Sequence, residues 1–247
     1  MTQHRALVEG TLFADELGME CQPCEQASQV LCFLQNNFWN ETGGYITADV
    51  DPTNANRSGI NVSPLLASIH VFDINATCNA SGEFEGCSVL DPANGLDFQP
   101  CNSQVLATHK VVVDSFRDLY PINANATAPD AVLVGRYPED IYYDGNPWPL
   151  CTLGCAELLY DAVAQFEKAG RIEVDQYSLP FFQDIYPQAQ EAVYTGDALS
   201  NITQAMTTYA DGFVSAVEVR QNSSSTRPVG SQFIGVSSSE RKHIGAV

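Results

Sequence analysis

Ala27-Ser28-Gln29-Val30-Leu31-Cys32-Phe33-Leu34-Gln35-Asn36-Asn37-Phe38 spaces Ala27, Val30, Leu31, Leu34 and Phe38 three and four residues apart, which lines them along one face of an α-helix. The same period returns on either side of this stretch. It runs through Ala6 to Leu17, through Val105, Leu106, Val112, Val113 and Phe116, through Leu150 to Phe166, and through Ile202, Met206, Tyr209, Phe213 and Val217. Ser103 and Ser200 stand where N-caps are wanted, Pro64 after Ser63 suits a first turn, and Gly170 suits the residue that ends a helix. Alternating strand patterns are scarce, so the predicted architecture is all-α.

Two long polar connections, residues 40–63 and 75–102, carry turn formers and most of the N-x-S/T sequons. Helices joined by such loops suggest a helical barrel or bundle with its function in the loops. A composition break follows the last periodic segment. Residues 1–219 hold 7 of the 11 basic and 29 of the 30 acidic residues, whereas residues 220–247 are Ser-rich, with Phe233, Ile234, Val236 and Ile244 among a few scattered larger apolar residues. The expectation is one domain over 1–219 and an unrelated, disordered tail over 220–247.

The chain has 247 residues and is 45% apolar, enough for a sizeable core. Its formal charge of -19 repels phosphate backbones and anionic lipid, which argues against nucleic acid and membrane partners. A neutral ligand such as a polysaccharide does not feel that repulsion. No run is long and apolar enough to span a bilayer. Sequons begin at Asn40, Asn56, Asn61, Asn75, Asn79, Asn125 and Asn201, with an eighth at Asn222 in the tail. Together with eight cysteines they point to an oxidising, secretory route. Met1-Thr2-Gln3-His4-Arg5 nevertheless opens no signal peptide. The expectation is a secreted protein whose leader precedes Met1.

Cys21-Gln22-Pro23-Cys24 admits a redox dithiol, half of a zinc site or a small-loop disulfide. Zinc needs a second ligand pair, which His4, His70, His109 and His243 do not supply at suitable spacing, and no βαβ context supports redox chemistry. The densest chemical cluster is Gly135-Arg136-Tyr137-Pro138-Glu139-Asp140-Ile141-Tyr142-Tyr143-Asp144-Gly145-Asn146-Pro147-Trp148. Aromatic faces stack on the C–H faces of sugars, while Arg and carboxylates exchange hydrogen bonds with hydroxyls. By composition alone the same residues could form a connector whose rings cover the core.

The order of residues in that string resembles the loop G-R-Y-P-E-D-x-Y-Y-x-G-N-P-W of fungal-type glucoamylases, a family of inverting glycoside hydrolases. The resemblance continues through Gln3-His4-Arg5-Ala6-Leu7-Val8-Glu9-Gly10, Leu65-Leu66-Ala67-Ser68-Ile69-His70, His109-Lys110, Val113-Asp114-Ser115-Phe116-Arg117 and Ala210-Asp211-Gly212-Phe213-Val214, covering roughly Gln3 to Glu218. It implies an (α/α)6 barrel of six helical hairpins with long loops, of which this chain would supply about the second half. It also implies that Arg136 binds the terminal glucose of starch or a maltooligosaccharide, that Asp140 accepts from hydroxyls of the next sugar, and that Tyr142 and Trp148 line the subsites. No metal or organic cofactor is implied, and a monomer is expected.

The family pattern implies disulfides Cys21–Cys24 and Cys78–Cys101 and a buried free thiol at Cys151. It leaves Cys32 without its partner, which would lie past residue 247. Residues 79–98 look like an insertion, Cys87 within them matches no family cysteine, and Cys155 looks extra. Asp144 stands where the family has Asn, and Pro149 where it has a larger apolar residue.

Inverting hydrolysis needs a carboxylic acid and a carboxylate about 6.5–9.5 Å apart. The resemblance places the acid in a Glu-rich loop before the helix that begins at Gln3, and the base in a segment after the helix carrying Ala210-Asp211-Gly212. Neither segment matches anything in this chain, so no catalytic residue is assigned. Glu139 and Asp140, adjacent in an extended loop, point apart and do not replace them. The expectation is a piece of a glucan 1,4-alpha-glucosidase, inactive alone, with Met1 internal to a longer coding sequence. The alternatives are a non-catalytic carbohydrate-binding remnant and a secreted structural protein.

Overall fold

The computed structural model describes residues 1–50, 57–76, 78 and 98–224. Seven α-helices occur among the described residues: α1 (Thr2–Glu16), α2 (Ala27–Phe38), α3 (Ser63–His70), α4 (Ser103–Arg117), α5 (Pro149–Ala169), α6 (Leu179–Ile185) and α7 (Gly196–Ser224). Two short antiparallel pairs punctuate them. β1 (Trp39–Asn40) pairs with β2 (Tyr45–Ile46), and β3 (Ile172–Val174) pairs with β4 (Ala192–Tyr194).

The periodic stripes read from the sequence become the core. Val105, Leu106, Val112, Val113 and Phe116 of α4 are all buried, as are Ile202, Met206, Tyr209, Phe213 and Val217 of α7. Between them α5 buries Cys151, Cys155, Leu158, Leu159, Ala162, Val163 and Phe166, more than one stripe's width, because it is covered on several sides. Leu31, Leu34 and Phe38 of α2 pack against this core as predicted, yet α1 and α2 contain no fully buried residue.

Pro64 sits in the first turn of α3, and Gly170 ends α5 in the left-handed region at φ 68°. Two expected caps shift. Asn102 caps α4, its side chain accepting from the Gln104 amide at 2.9 Å, so Ser103 is already helical. Ser200 lies inside α7, where its hydroxyl donates to the Gly196 carbonyl. α7 continues past residue 219 to Ser224, and the remainder of the expected tail lies outside the described residues.

Cys21–Cys24 and Cys78–Cys101 are disulfides with Cα separations of 5.3 and 5.4 Å, both as the resemblance implies. Cys151 and Cys155 are buried free thiols, the first pushed up to about 11 by burial and the second pushed further in the same direction. The expectation that Cys32 is left over is overturned, because Cys32 is disulfide-bonded. Cys87 lies outside the described residues, as do the sequon residues Asn56 and Asn79. Asn75, Asn125 and Asn201 are exposed, and Asn40 and Asn61 are half-buried.

Candidate functional site

Residues 135–148 form a loop closed at its neck. The Trp148 amide donates to the Val134 carbonyl at 2.9 Å, and the Val134 amide donates to Thr152 Oγ1 of α5 at 3.0 Å. Gly135 passes so near the core that a Cβ there would stand 2.2 Å from Tyr120 Oη and 2.9 Å from Phe116 Cε1. Farther on, Tyr143, Asp144 and Gly145 adopt φ of 48°, 60° and 66° in succession. Two non-glycine residues in the left-handed region carry strain, which a surrounding site must hold in place. Asn146 Nδ2 holds this turn by donating to the Tyr143 carbonyl.

Arg136 and Asp140 are the loop's centre. Arg136 Nε donates to Asp140 Oδ2 at 2.7 Å and Nη2 to Oδ1 at 2.8 Å, a two-pronged ion pair over a carboxylate that is only 2% exposed. The Tyr142 amide adds a third bond to Oδ1 at 2.9 Å. Burial by itself would push the Asp140 carboxyl up, but the Arg136 bonds, the Tyr142 amide and the Tyr137 hydroxyl outweigh it and hold the group below its ordinary range. Asp140 in turn pushes the Arg136 guanidinium up, so the pair stays ionised.

Three rings surround the guanidinium. Its Cζ lies 5.0 Å from the Trp148 ring centroid, 5.1 Å from Tyr142 and 5.5 Å from Tyr137. Trp148 and Tyr142 are 6.4 Å apart and tilted by 30°, while Tyr143 meets Tyr142 edge-on at 4.5 Å. Tyr142 is 53% exposed, which leaves ring surface open to a ligand. All four residues expected to bind sugar, Arg136, Asp140, Tyr142 and Trp148, are therefore brought together. Asp140, however, lies beneath Arg136 and is engaged by protein donors.

The sequence matches the family model for glycosyl hydrolases family 15 over residues 1–226. The chain belongs to this family. It is 45% identical over 220 residues to glucoamylase P of Amorphotheca resinae, covering 87% of this chain and 33% of that protein. It is 44% identical to the glucoamylase of Neurospora crassa, at 87% and 31% coverage. The solved family 15 glucoamylase of Hypocrea jecorina superposes with a TM-score of 0.78 at 43% identity, covering 89% of this chain and 34% of that one. The chain thus spans about a third of the length of these relatives. Its mostly helical fold forms part of the (α/α)6 barrel of family 15 glucoamylases.

Within this family 15 chain, reading the loop alone missed what braces it. Arg57 stacks on Tyr137, and the Ser58 amide donates to Glu139 Oε1, contacts that join positions 80 and 81 residues apart. Tyr137 and Glu139 stood in the quoted string, but nothing local marked Arg57. Of the adjacent carboxylates in the loop, Glu139 accepts from the Ser58 amide, and Asp140 is held ionised and so is no proton donor. Among the described residues the carboxyl that is pushed up, Asp161 to about 6 by burial and by Glu157, belongs to the later part of α5 and not to the loop.

Proposed function

We propose that this chain supplies the sugar-gripping part of a glucan 1,4-alpha-glucosidase, an enzyme that releases glucose with inversion from the non-reducing ends of starch and maltooligosaccharides. The observation that carries this reading is the Arg136–Asp140 pair set among three aromatic rings. A guanidinium offers five N–H donors, and two of them are fixed on Asp140. The others remain available for vicinal sugar hydroxyls, with the direction of the fork already set before a ligand arrives. Preset orientation lowers the ordering cost of binding. Tyr142 and Trp148 offer the flat faces on which pyranose C–H groups rest.

The acid and the base belong, on this reading, to family segments outside residues 1–247. Support comes from Glu139, engaged by the Ser58 amide, and from Asp140, held ionised by Arg136. The protein is secreted, acts as a monomer, and carries glycans at Asn40, Asn56, Asn61, Asn75, Asn79, Asn125 and Asn201. Disulfides at Cys21–Cys24 and Cys78–Cys101 favour that route, since they persist in oxidising compartments. A purely carbohydrate-binding role is the second reading, favoured by the same engagement of Glu139 and Asp140.

Trp39 and Trp148 are the two tryptophans, so fluorescence reports the site directly. Maltotriose is expected to change the emission of the chain, the change surviving Trp39→Phe and disappearing in Trp148→Phe. Arg136→Ala is expected to weaken the binding by about tenfold or more, the loss of one charge-assisted contact set. No change with maltotriose in the parent chain refutes the sugar reading. Glucose release by the chain at an ordinary rate refutes the assignment of the acid and base to other segments.

A further inference from the structure

The backbone that carries Arg136 is held from outside its own loop. The Val62 amide donates to the Arg136 carbonyl at 2.9 Å. The Ser58 amide donates to Glu139 Oε1 at 2.8 Å. The Arg57 guanidinium lies 4.4 Å from the Tyr137 ring centroid, and its Nη2 donates to Tyr137 Oη at 3.3 Å. All three ties come from one short segment, residues 57–62.

That segment is itself fastened to the core. Tyr45 Oη donates to the Ser58 carbonyl at 2.7 Å, and the Ala48 amide donates to the Gly59 carbonyl at 3.2 Å. One residue along β2, the Ile46 amide donates to Thr108 Oγ1 of α4 at 2.9 Å. A continuous path therefore runs from a buried helix through β2 and residues 57–62 to the backbone on either side of Arg136. The path also reaches the ion pair by a second branch, because Tyr137, on which Arg57 sits, has its hydroxyl acting on Asp140.

A guanidinium that must meet sugar hydroxyls tolerates little displacement, and a site loosened by an ångström loses much of its binding. The bidentate bond to Asp140 fixes the Arg136 side chain relative to Asp140, four residues away in the same loop. It does not fix the loop relative to the core. We propose that Arg57 and Glu139 are positioning residues of the sugar site, a strap that holds the Arg136–Asp140 pair in register with Trp148 without touching the ligand. This rests on the sugar-binding reading above and deepens it.

The test uses the chain of residues 1–247 with Glu139→Ala, Glu139→Gln, Arg57→Ala and Arg57→Lys. Three quantities are measured for each: hydrogen exchange of the Arg136 Nε–H by NMR, maltotriose affinity from Trp148 emission, and the urea midpoint. In Glu139→Ala and Arg57→Ala the Nε–H is expected to exchange about tenfold faster and maltotriose to bind roughly threefold to tenfold more weakly, with the urea midpoint unchanged. Glu139→Gln keeps an oxygen for the Ser58 amide and stays within about twofold of the parent in both readouts. Arg57→Lys, which loses the planar stack, behaves as Arg57→Ala.

Combining Glu139→Ala with Arg136→Ala gives no further loss of affinity beyond Arg136→Ala alone, because Glu139 acts through Arg136. Unchanged exchange in both alanine variants, or additive losses in the double variant, overturns the proposal. Absence of any emission change with maltotriose in the parent overturns the sugar reading only, since exchange of the Arg136 Nε–H still decides for or against the strap.

Discussion

At position 135 the side chain is dictated by its neighbours, for Tyr120 and Phe116 already fill the place where a Cβ would project. Gly135→Ala is expected to lower stability by about 1–3 kcal/mol in urea unfolding, as overpacking does, and to shift Trp148 emission as the loop neck moves. The strained turn behaves differently. Asp144 sits in the left-handed region, where Asn is among the residues best tolerated. Asp144→Asn is expected to raise the urea midpoint slightly, and a fall would show that the Asp144 carboxylate has a partner worth more than the relief of strain. His109 offers a test in pH. It is fully buried among Phe181, Tyr209 and Phe213, with Nε2 on the Cys155 carbonyl, and burial lowers it from 6.5 to about 4 against the pull of that carbonyl and of Asp114, with Arg117 adding to the lowering. Its neutral form is the folded one, so its contribution is complete above pH 6.5 and is lost as pH falls toward about 4. The loss is of order ~3 kcal/mol from a shift of this size. The unfolding free energy of the parent minus that of His109→Phe is expected to fall as pH is lowered over that window, and a difference independent of pH refutes the assignment. Asp161, whose raised carboxyl has the opposite sign, cancels in that difference. None of these three residues could be read singly from sequence. Gly135 and His109 are explained by partners distant in the chain, and the strain at Asp144 depends on the turn around it.

Helices were legible wherever one face is apolar over several turns, as in α4, α5 and α7, because burial follows periodicity directly. What escaped was short. β1 to β4 are two or three residues long, too brief for alternation to register, and α6 spans only Leu179–Ile185. The Ser103 and Ser200 caps slipped for a related reason: several polar residues near a helix start can serve, and tertiary geometry selects among them. Polar ties between elements were equally hidden. Gln165 of α5 accepts from the Cys101 amide at 3.1 Å and donates to both the Asp73 carbonyl and Gln99 Oε1 at 2.8 Å, while Gln99 donates to the Val71 carbonyl at 2.8 Å. This buried net joins α5, the end of α3 and the residues beside the Cys78–Cys101 disulfide. A glutamine in an apolar stretch gives no hint of it. Gln165→Leu keeps the volume but leaves a buried amide without its acceptor, and is expected to cost about 2–3 kcal/mol in urea unfolding. Gln165→Glu retains the acceptor and should cost less at low pH than at neutral pH, because only the protonated acid supplies a donor in place of Nε2.

Across the whole molecule burial is uneven in a way that predicts how it opens. α4, α5 and α7 share a contiguous core, but α1 and α2 have no fully buried residue, and Leu12, Phe13, Leu17, Met19 and Phe33 are more than half exposed. Among the ties between the α1–α2 pair and the rest are the Arg5–Asp73 bridge at 3.0 Å and the packing of Leu31, Leu34 and Phe38 on the core, besides the disulfide that Cys32 of α2 forms. That bridge is part-exposed and Asp73 is lowered chiefly by the Asn75 amide, with Arg5 contributing less, so the ion pair by itself holds α1 weakly. A region with little buried apolar contact opens below the global unfolding free energy. Hydrogen exchange followed by mass spectrometry is therefore expected to show α1 and α2 amides exchanging together and well before those of α4, α5 and α7. Asp73→Asn should hasten α1 further while leaving α7 unchanged. Equal protection of all helices would mean that the chain opens only as one unit. Residues 57–62 are tied to β2 and to the Arg136 loop. If the α1–α2 pair opens alone, maltotriose should protect the Arg136 loop and residues 57–62 without slowing exchange in α1, separating the part of this family 15 chain proposed to grip sugar from the part whose apolar side chains stand exposed.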